Sequence, residues 1–158
     1  TNNTTNTTKN NMADLTTTLS ESVVLNGAVR GTTNTTTTTG INNVYERIVT
    51  CTIDEITHLA TFDSDSFGAA VQIDKQDVRY IRITNLDATN ALELAVVGAA
   101  TLYQVTLAAG QSHILGAAVT VMLAEADTSP SFGTMADLTS IQVEPVATLD
   151  VEIFVASI

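Results

Sequence analysis

Several residue types are scarce in this chain of 158 residues, and each shortage excludes a class of protein. The one cysteine, Cys51, cannot form a disulfide within the chain, so packing alone must hold the fold together. Trp is absent and aromatic residues make up 4%, which argues against a site that stacks sugars or bases. No apolar run approaches the ~18 residues that a membrane-spanning helix needs, so we expect no membrane partner.

Basic residues are also few, because 6 Lys and Arg stand against 17 Asp and Glu and give a net charge of −11. Nucleic-acid binding depends on Lys and Arg that displace counterions from phosphate, and anionic membranes attract the same residues. We therefore expect neither nucleic acid nor a membrane surface as a partner. Apolar residues reach 44%, so the chain can bury a core and is not globally disordered.

The N-terminal quarter of the chain differs in character from the rest. Residues 1–14 are predicted to form an extended arm, because the first eleven are only Thr, Asn and one Lys. Residues 15–39 are predicted to form a β-hairpin followed by a Thr-rich strand. Asn26-Gly27 between two apolar runs favours a type I′ turn, and a strand made of Thr suits an edge or the surface of another subunit.

Residues 40–158 consist of short runs in which apolar and polar residues alternate, with turn residues between them. About eight such runs follow one another at roughly 8–13 residue spacing, which is the pattern of an all-β domain. Val78–Thr84 is the clearest of them. The sequence therefore predicts an all-β protein, with an antiparallel β-sandwich or jelly-roll-like domain behind an extended N-terminal arm.

No arrangement of residues predicts catalysis. His58 and His113 lie in different predicted strands among apolar neighbours, and Cys51 is expected on the opposite strand face from His58. Hydrolysis needs a nucleophile held against a base, and a structural zinc site needs Cys and His at ligand spacing. We therefore predict no enzymatic activity and no cofactor, with Cys51 as a buried and inert thiol.

One acidic turn imitates a calcium-binding loop. Asp63, Asp65 and Asp74 match carboxylate positions of an EF-hand, but Phe67 stands where an oxygen ligand belongs. The last position also lacks the usual Glu, and no helices are predicted on either side. The favoured interpretation is a solvated acidic β-turn, with calcium at a subunit contact as the alternative.

A pattern of strands and turns runs through most of the chain after Met12. It begins at residues 12–16 and continues through 20–27 and 40–44. It is clearest where Val78–Asp87 ends in an Asn-x-Asp turn and Leu107–Ser112 contains an Ala-Gly turn. These segments resemble virion structural proteins of tailed bacteriophages, particularly marine ones. The motifs contain no catalytic residues, so the resemblance carries over no functional site.

The resemblance implies a virion component that is assembled in the host cytoplasm. The leading hypothesis is a capsid decoration (cement) protein that forms a homotrimer or other small ring and stabilises the lattice of the major capsid protein. A charge of −11 repels packaged DNA, which favours the capsid exterior. We expect the contacts in the arm, the hairpin and the Thr-rich strand, at Thr4, Asn6, Lys9, Leu15, Leu19, Val23, Leu25, Thr35 and Thr37.

Two alternative functions stay open. A tail, collar or fibre component of the same virion would share the β fold and the acidity but occur in fewer copies. A surface adhesin or carbohydrate-binding module belongs to a different class, and the scarcity of aromatic residues counts against it.

Overall fold

A computed structural model of the chain describes residues 12–64, 72–99, 101–123 and 132–158. These residues form thirteen β-strands and no helix, which confirms the predicted all-β class. The chain divides into two units, Thr1–Asn43 with Ile158 and Val44–Ser157. Residues 1–11, most of the predicted arm, lie outside the described residues.

The first unit is a long antiparallel hairpin made of two successive ladders. Strand β1 (Ala13–Ser20) pairs with β4 (Thr33–Ile41), and β2 (Val23–Leu25) pairs with β3 (Ala28–Arg30). The tip turns at Asn26 and Gly27, whose φ values of 52° and 79° are those of a type I′ turn. The turn predicted from Asn26-Gly27 is therefore confirmed.

The two ladders of the hairpin meet at a joint that requires glycine. The amide of Glu21 donates to the carbonyl of Thr32 at 2.9 Å, and Gly31 beside it has a φ of 126°. A Cβ atom at Gly31 would lie 2.1 Å from the carbonyl oxygen of Glu21. The strands can approach this closely only because residue 31 has no side chain.

A second glycine bends the hairpin near its base. Gly40 lies inside β4 with a φ of 80°, where the register shifts between Ala13 and Leu15 on the paired strand. A glycine of positive φ at such a shift forms a β-bulge. The sequence places the start of the sandwich domain at residue 40, whereas β4 continues to Ile41 and the chain divides after Asn43.

The second unit is a β-sandwich in which each strand faces the core on one side. Its strands are β5 (Asn43–Cys51), β6 (Thr57–Asp63), β7 (Gln72–Asp74), β8 (Val78–Asn85), β9 (Leu92–Gly98), β10 (Leu102–Leu107), β11 (Ser112–Leu115), β12 (Leu138–Pro145) and β13 (Leu149–Ser157).

The strand order is that of a jelly roll. One sheet has the order β10-β9-β12-β6-β7 and the other the order β11-β8-β13-β5. Without β7, which pairs in parallel with the edge strand β6, these are the two four-stranded sheets of a double Greek key. The predicted β-sandwich is confirmed, and its connectivity is that of the jelly roll.

Apolar residues that alternate along the strands fill the space between the two sheets. The largest side chains without solvent exposure include Leu59, Ile81, Ile83, Leu94 and Ile153. Cys51 is also fully buried in this core, as predicted. Burial raises the pKa of its thiol, which keeps the sulfur protonated and unreactive.

The turn after β8 is held by a buried amide. Asn85 is fully buried, and its Nδ2 lies 2.8 Å from the carbonyl of Asn90, 3.1 Å from that of Leu107 and 3.2 Å from that of Ala108. Its Oδ1 accepts from the amide of Asp87 at 3.0 Å. The hydrogen bonds of Asn85 therefore connect the Asn-x-Asp turn to the end of β10. An amide side chain is needed at this position because it both donates and accepts.

Candidate functional site

The residues that could carry chemistry are not brought together. His58 is exposed on β6, whereas Cys51 is buried in the core. Nε2 of His113 lies 2.9 Å from the hydroxyl of Tyr103, in a part-buried pair that links β11 of one sheet to β10 of the other. Within the described ranges, no three His, Cys, Asp or Glu side chains are grouped as metal ligands.

The acidic turn uses its carboxylates locally. Asp63 and Asp74 are register partners on β6 and β7. Oδ1 of Asp63 accepts from the amide of Ser64 at 2.7 Å, and Oδ1 of Asp74 accepts from the amide of Gln76 at 3.0 Å. Both carboxylates thus cap turn amides. The third calcium candidate, Asp65, lies outside the described residues.

The predicted contact residues fall into two groups. Thr4, Asn6 and Lys9 lie outside the described residues. The other six are on the hairpin, where all but the half-buried Leu15 are exposed: Leu15, Leu19, Val23, Leu25, Thr35 and Thr37.

One face of the ladder formed by β1 and β4 is covered with hydroxyl groups. Directly opposite residues of an antiparallel pair lie on the same face, which places Thr16 with Thr37, Thr18 with Thr35 and Ser20 with Thr33. The hydroxyls of Thr18 and Thr35 are 3.2 Å apart, and those of Ser20 and Thr33 are 3.0 Å apart. These cross-strand bonds support the pairing of β1 with β4 without a buried face.

The tip of the hairpin is apolar on both faces. Val24 and Val29 lie opposite each other, and their side chains are 68% and 73% exposed. The other face carries Val23 and Leu25, with Arg30 opposite the first and Ala28 opposite the second. An isolated two-stranded hairpin is marginally stable in water, so apolar groups in this position call for a covering partner.

Sequence reasoning found only half of this tip. It named Val23 and Leu25 individually and included Val24 only within the segment Leu15–Leu25, while Val29 was not among the expected contacts. The signal was present in the sequence, since no polar side chain interrupts residues 23–25 before the turn.

The second surface of interest is the outer face of the five-stranded sheet, which sequence reasoning missed entirely. Glu93 on β9 lies directly opposite Glu144 on β12. Two residues further along, Ala95 has Gln104 on one side and Gln142 on the other. Since Ala95 is short, a shallow groove forms above it; its lining is Ile56, Glu93, Ala95, Gln104, Gln142, Val143 and Glu144.

Among the described residues, no cation forms an ion pair with either carboxylate of this groove. Glu93 and Glu144 are exposed, and the ion pairs among the described residues are Lys75 with Asp137 and Arg82 with Glu152. Like charges directly opposite each other destabilise a sheet. The outer face of the four-stranded sheet differs, because there Arg82 neutralises Glu152 at 2.6 Å.

Charge divides sharply between the two units. Residues 1–43 contain two basic and two acidic residues and are neutral, whereas residues 44–158 contain four basic and fifteen acidic residues, a net charge of −11. The hairpin is therefore not repelled by an acidic body, while two such bodies repel each other.

The chain matches no protein-family model, no curated protein and no solved structure. Among the described residues, no helix is long and apolar enough to cross a membrane.

Proposed function

We propose that this protein is a non-enzymatic virion component of a tailed bacteriophage, a decoration protein that binds the major capsid protein and stabilises the capsid lattice from outside. The observation that carries the proposal is that the chain has, besides a well-packed jelly-roll body, a hairpin whose tip exposes apolar side chains on both faces. Such a hairpin is suited to reach a neighbouring molecule.

Four further features support this proposal. The strand-and-turn segments resemble virion proteins, and the jelly roll occurs among viral capsid domains, although fold alone does not determine function. The body's charge of −11 favours a position away from packaged DNA. A preformed hairpin also loses less entropy on binding than a disordered segment of equal length.

The proposed partners are other copies of this chain, in a homotrimer or another small ring, and the major capsid protein. The hairpin and the Thr-rich ladder supply the contacts. Since ordering each residue of a flexible segment costs on the order of 1–2 kcal/mol, a segment already paired in a ladder is the better tether.

The first test is the copy number of this chain in purified phage particles. Quantitative mass spectrometry should find it in a simple ratio to the major capsid protein, as a lattice component requires. A few copies per particle would overturn decoration in favour of a tail, collar or fibre component, and absence from particles would favour an adhesin or carbohydrate-binding module.

The second test changes the hairpin tip. Val24→Asp with Val29→Asp should lower occupancy on the shell and the temperature at which particles release DNA, because apolar contacts are lost. The matched control is Val146→Asp, since Val146 is also exposed but lies in the turn between β12 and β13. Equal occupancy for the tip variant and the control would contradict a role for the hairpin.

A further inference from the structure

Arg30 is a cation at the tip of the hairpin, and it has no partner within the part of the chain that the structure describes. It is exposed, and among the described residues it takes part in neither the ion pairs nor the ring contacts. Its face of the ladder also carries Val23 directly opposite and Leu25 and Ala28 two residues nearer the turn. The tip therefore presents one positive charge beside a small apolar surface.

The groove on the five-stranded sheet has the complementary arrangement. Glu93 and Glu144 lie side by side, and neither carboxylate has an ion-pair partner among the described residues. The part of the groove above Ala95 is two residues away along the strand. Ile56, which is 63% exposed, adds apolar surface to the same groove. A guanidinium between the two carboxylates would remove their mutual repulsion and can bond both of them.

We infer that the hairpin tip of one copy docks on this groove of a second copy, with Arg30 between Glu93 and Glu144. This inference rests on the proposed function, because it names a second copy of the chain as the partner of the hairpin that we propose for binding. The spacings agree, since Arg30 to Ala28 and Glu93 to Ala95 are both two residues along a strand, about 6.7 Å. Ala28 and Leu25 then cover the part of the groove above Ala95.

The division of charge identifies the occupant as a second copy. Contacts between two bodies bring surfaces of net charge −11 together, whereas a contact between hairpin and body joins a neutral segment to an acidic one. The hairpin strand from Ala13 to Leu25 has a contour length of about 40 Å, at about 3.3 Å per residue. A contact between two different surfaces closes into a ring when the rotation between copies permits it, as the proposed small ring requires.

The test measures self-association of the full chain by sedimentation velocity over a range of protein concentrations. Arg30→Glu should weaken association about tenfold or more, and Glu93→Gln with Glu144→Gln should weaken it similarly. The matched controls are Arg47→Glu and the pair Glu46→Gln with Asp54→Asn, which change the charge equally at exposed positions outside the groove. The controls should associate like the wild type.

A charge exchange separates this contact from a general effect of charge or folding. Arg30→Glu combined with Glu93→Lys and Glu144→Lys should regain most of the lost affinity, because the ion pairs are restored with opposite sign. Failure of this rescue, or unchanged association of Arg30→Glu, would overturn the docking site. A wild-type chain that stays monomeric, yet needs its tip for shell occupancy, would overturn it too and leave the proposed function standing.

Discussion

The hairpin and the jelly roll are both built from β-strands, but apolar side chains are exposed at the tip of the hairpin and buried in the jelly roll. Along β9 buried and more exposed residues alternate, whereas every residue of β2 and β3 is exposed. In the body an apolar residue is explained by the opposing sheet. At the tip no opposing sheet covers the apolar residues of the ladder, so we look for their partner on another surface.

The same contrast holds for polar groups. Inside the body Asn85 places its amide against three carbonyls, and Arg82 neutralises Glu152. On the hairpin, hydroxyls pair with one another across the ladder while Arg30 has no partner among the described residues. Asn85 and Arg82 thus have their partners within the body, whereas the charge of Arg30 is available for binding.

The largest expected difference between the units is in the cost of losing a leucine. Leu94→Ala in the body should lower the free energy of unfolding by about 2–5 kcal/mol, because it removes buried contacts and leaves a cavity. Leu25→Ala at the tip, where the side chain is 57% exposed, should change it by less than about 0.5 kcal/mol. Urea denaturation of the monomer measures both, and equal effects would show that the tip is packed as a core.

A smaller difference is expected for a pair of asparagines. Asn85→Ala should cost about 1–3 kcal/mol, because three carbonyls lose their donor in a buried place. Asn34→Ala, at an exposed position opposite Leu19 on the hairpin, is the matched control and should cost almost nothing. Thermal unfolding of the two variants compares them, and a stable Asn85→Ala protein would refute the account of this turn.

A substitution at the joint between the two ladders of the hairpin should destabilise only the hairpin unit. Gly31→Ala forces a Cβ into the backbone of Glu21 and should open the tip ladder at a cost of about 1–3 kcal/mol. Amide hydrogen exchange should then be faster in β2 and β3 and unchanged in β9 and β12. Gly116→Ala is the control, because a Cβ there meets no atom within 4 Å.

The smallest effect is expected from pH, and it should be confined to the body. Desolvation lowers the pKa of His113 below its ordinary value of 6.5, so between these two values the unfolded chain binds more protons than the folded one. Stability is therefore complete above about pH 6.5 and falls as the pH drops through the native pKa. His113→Gln should flatten this dependence in urea titrations, and an unchanged pH dependence would contradict the role of His113.

Much of the fold could be predicted from sequence, because alternation and turn residues are local signals. The Asn26-Gly27 turn and the sandwich class follow from them directly. The position of Gly40 inside β4 could not be predicted, since glycine is equally suited to a turn and to a bulge inside a strand.

The candidate surfaces could be predicted only in part, because they depend on which strands become neighbours. Glu93 and Glu144 are far apart in the chain, and only the register of β9 against β12 places them side by side. The exposed apolar residues of the hairpin could be predicted, since both of its strands and their turn are contiguous in sequence.

The order of the strands also sets the order of events during synthesis. All pairings of the hairpin lie between Ala13 and Ile41, so this segment can form while most of the chain is still untranslated. The four-stranded sheet must wait for β13, the last strand, which lies between β8 and β5. The exposed apolar tip therefore leaves the ribosome well before the groove on the five-stranded sheet exists.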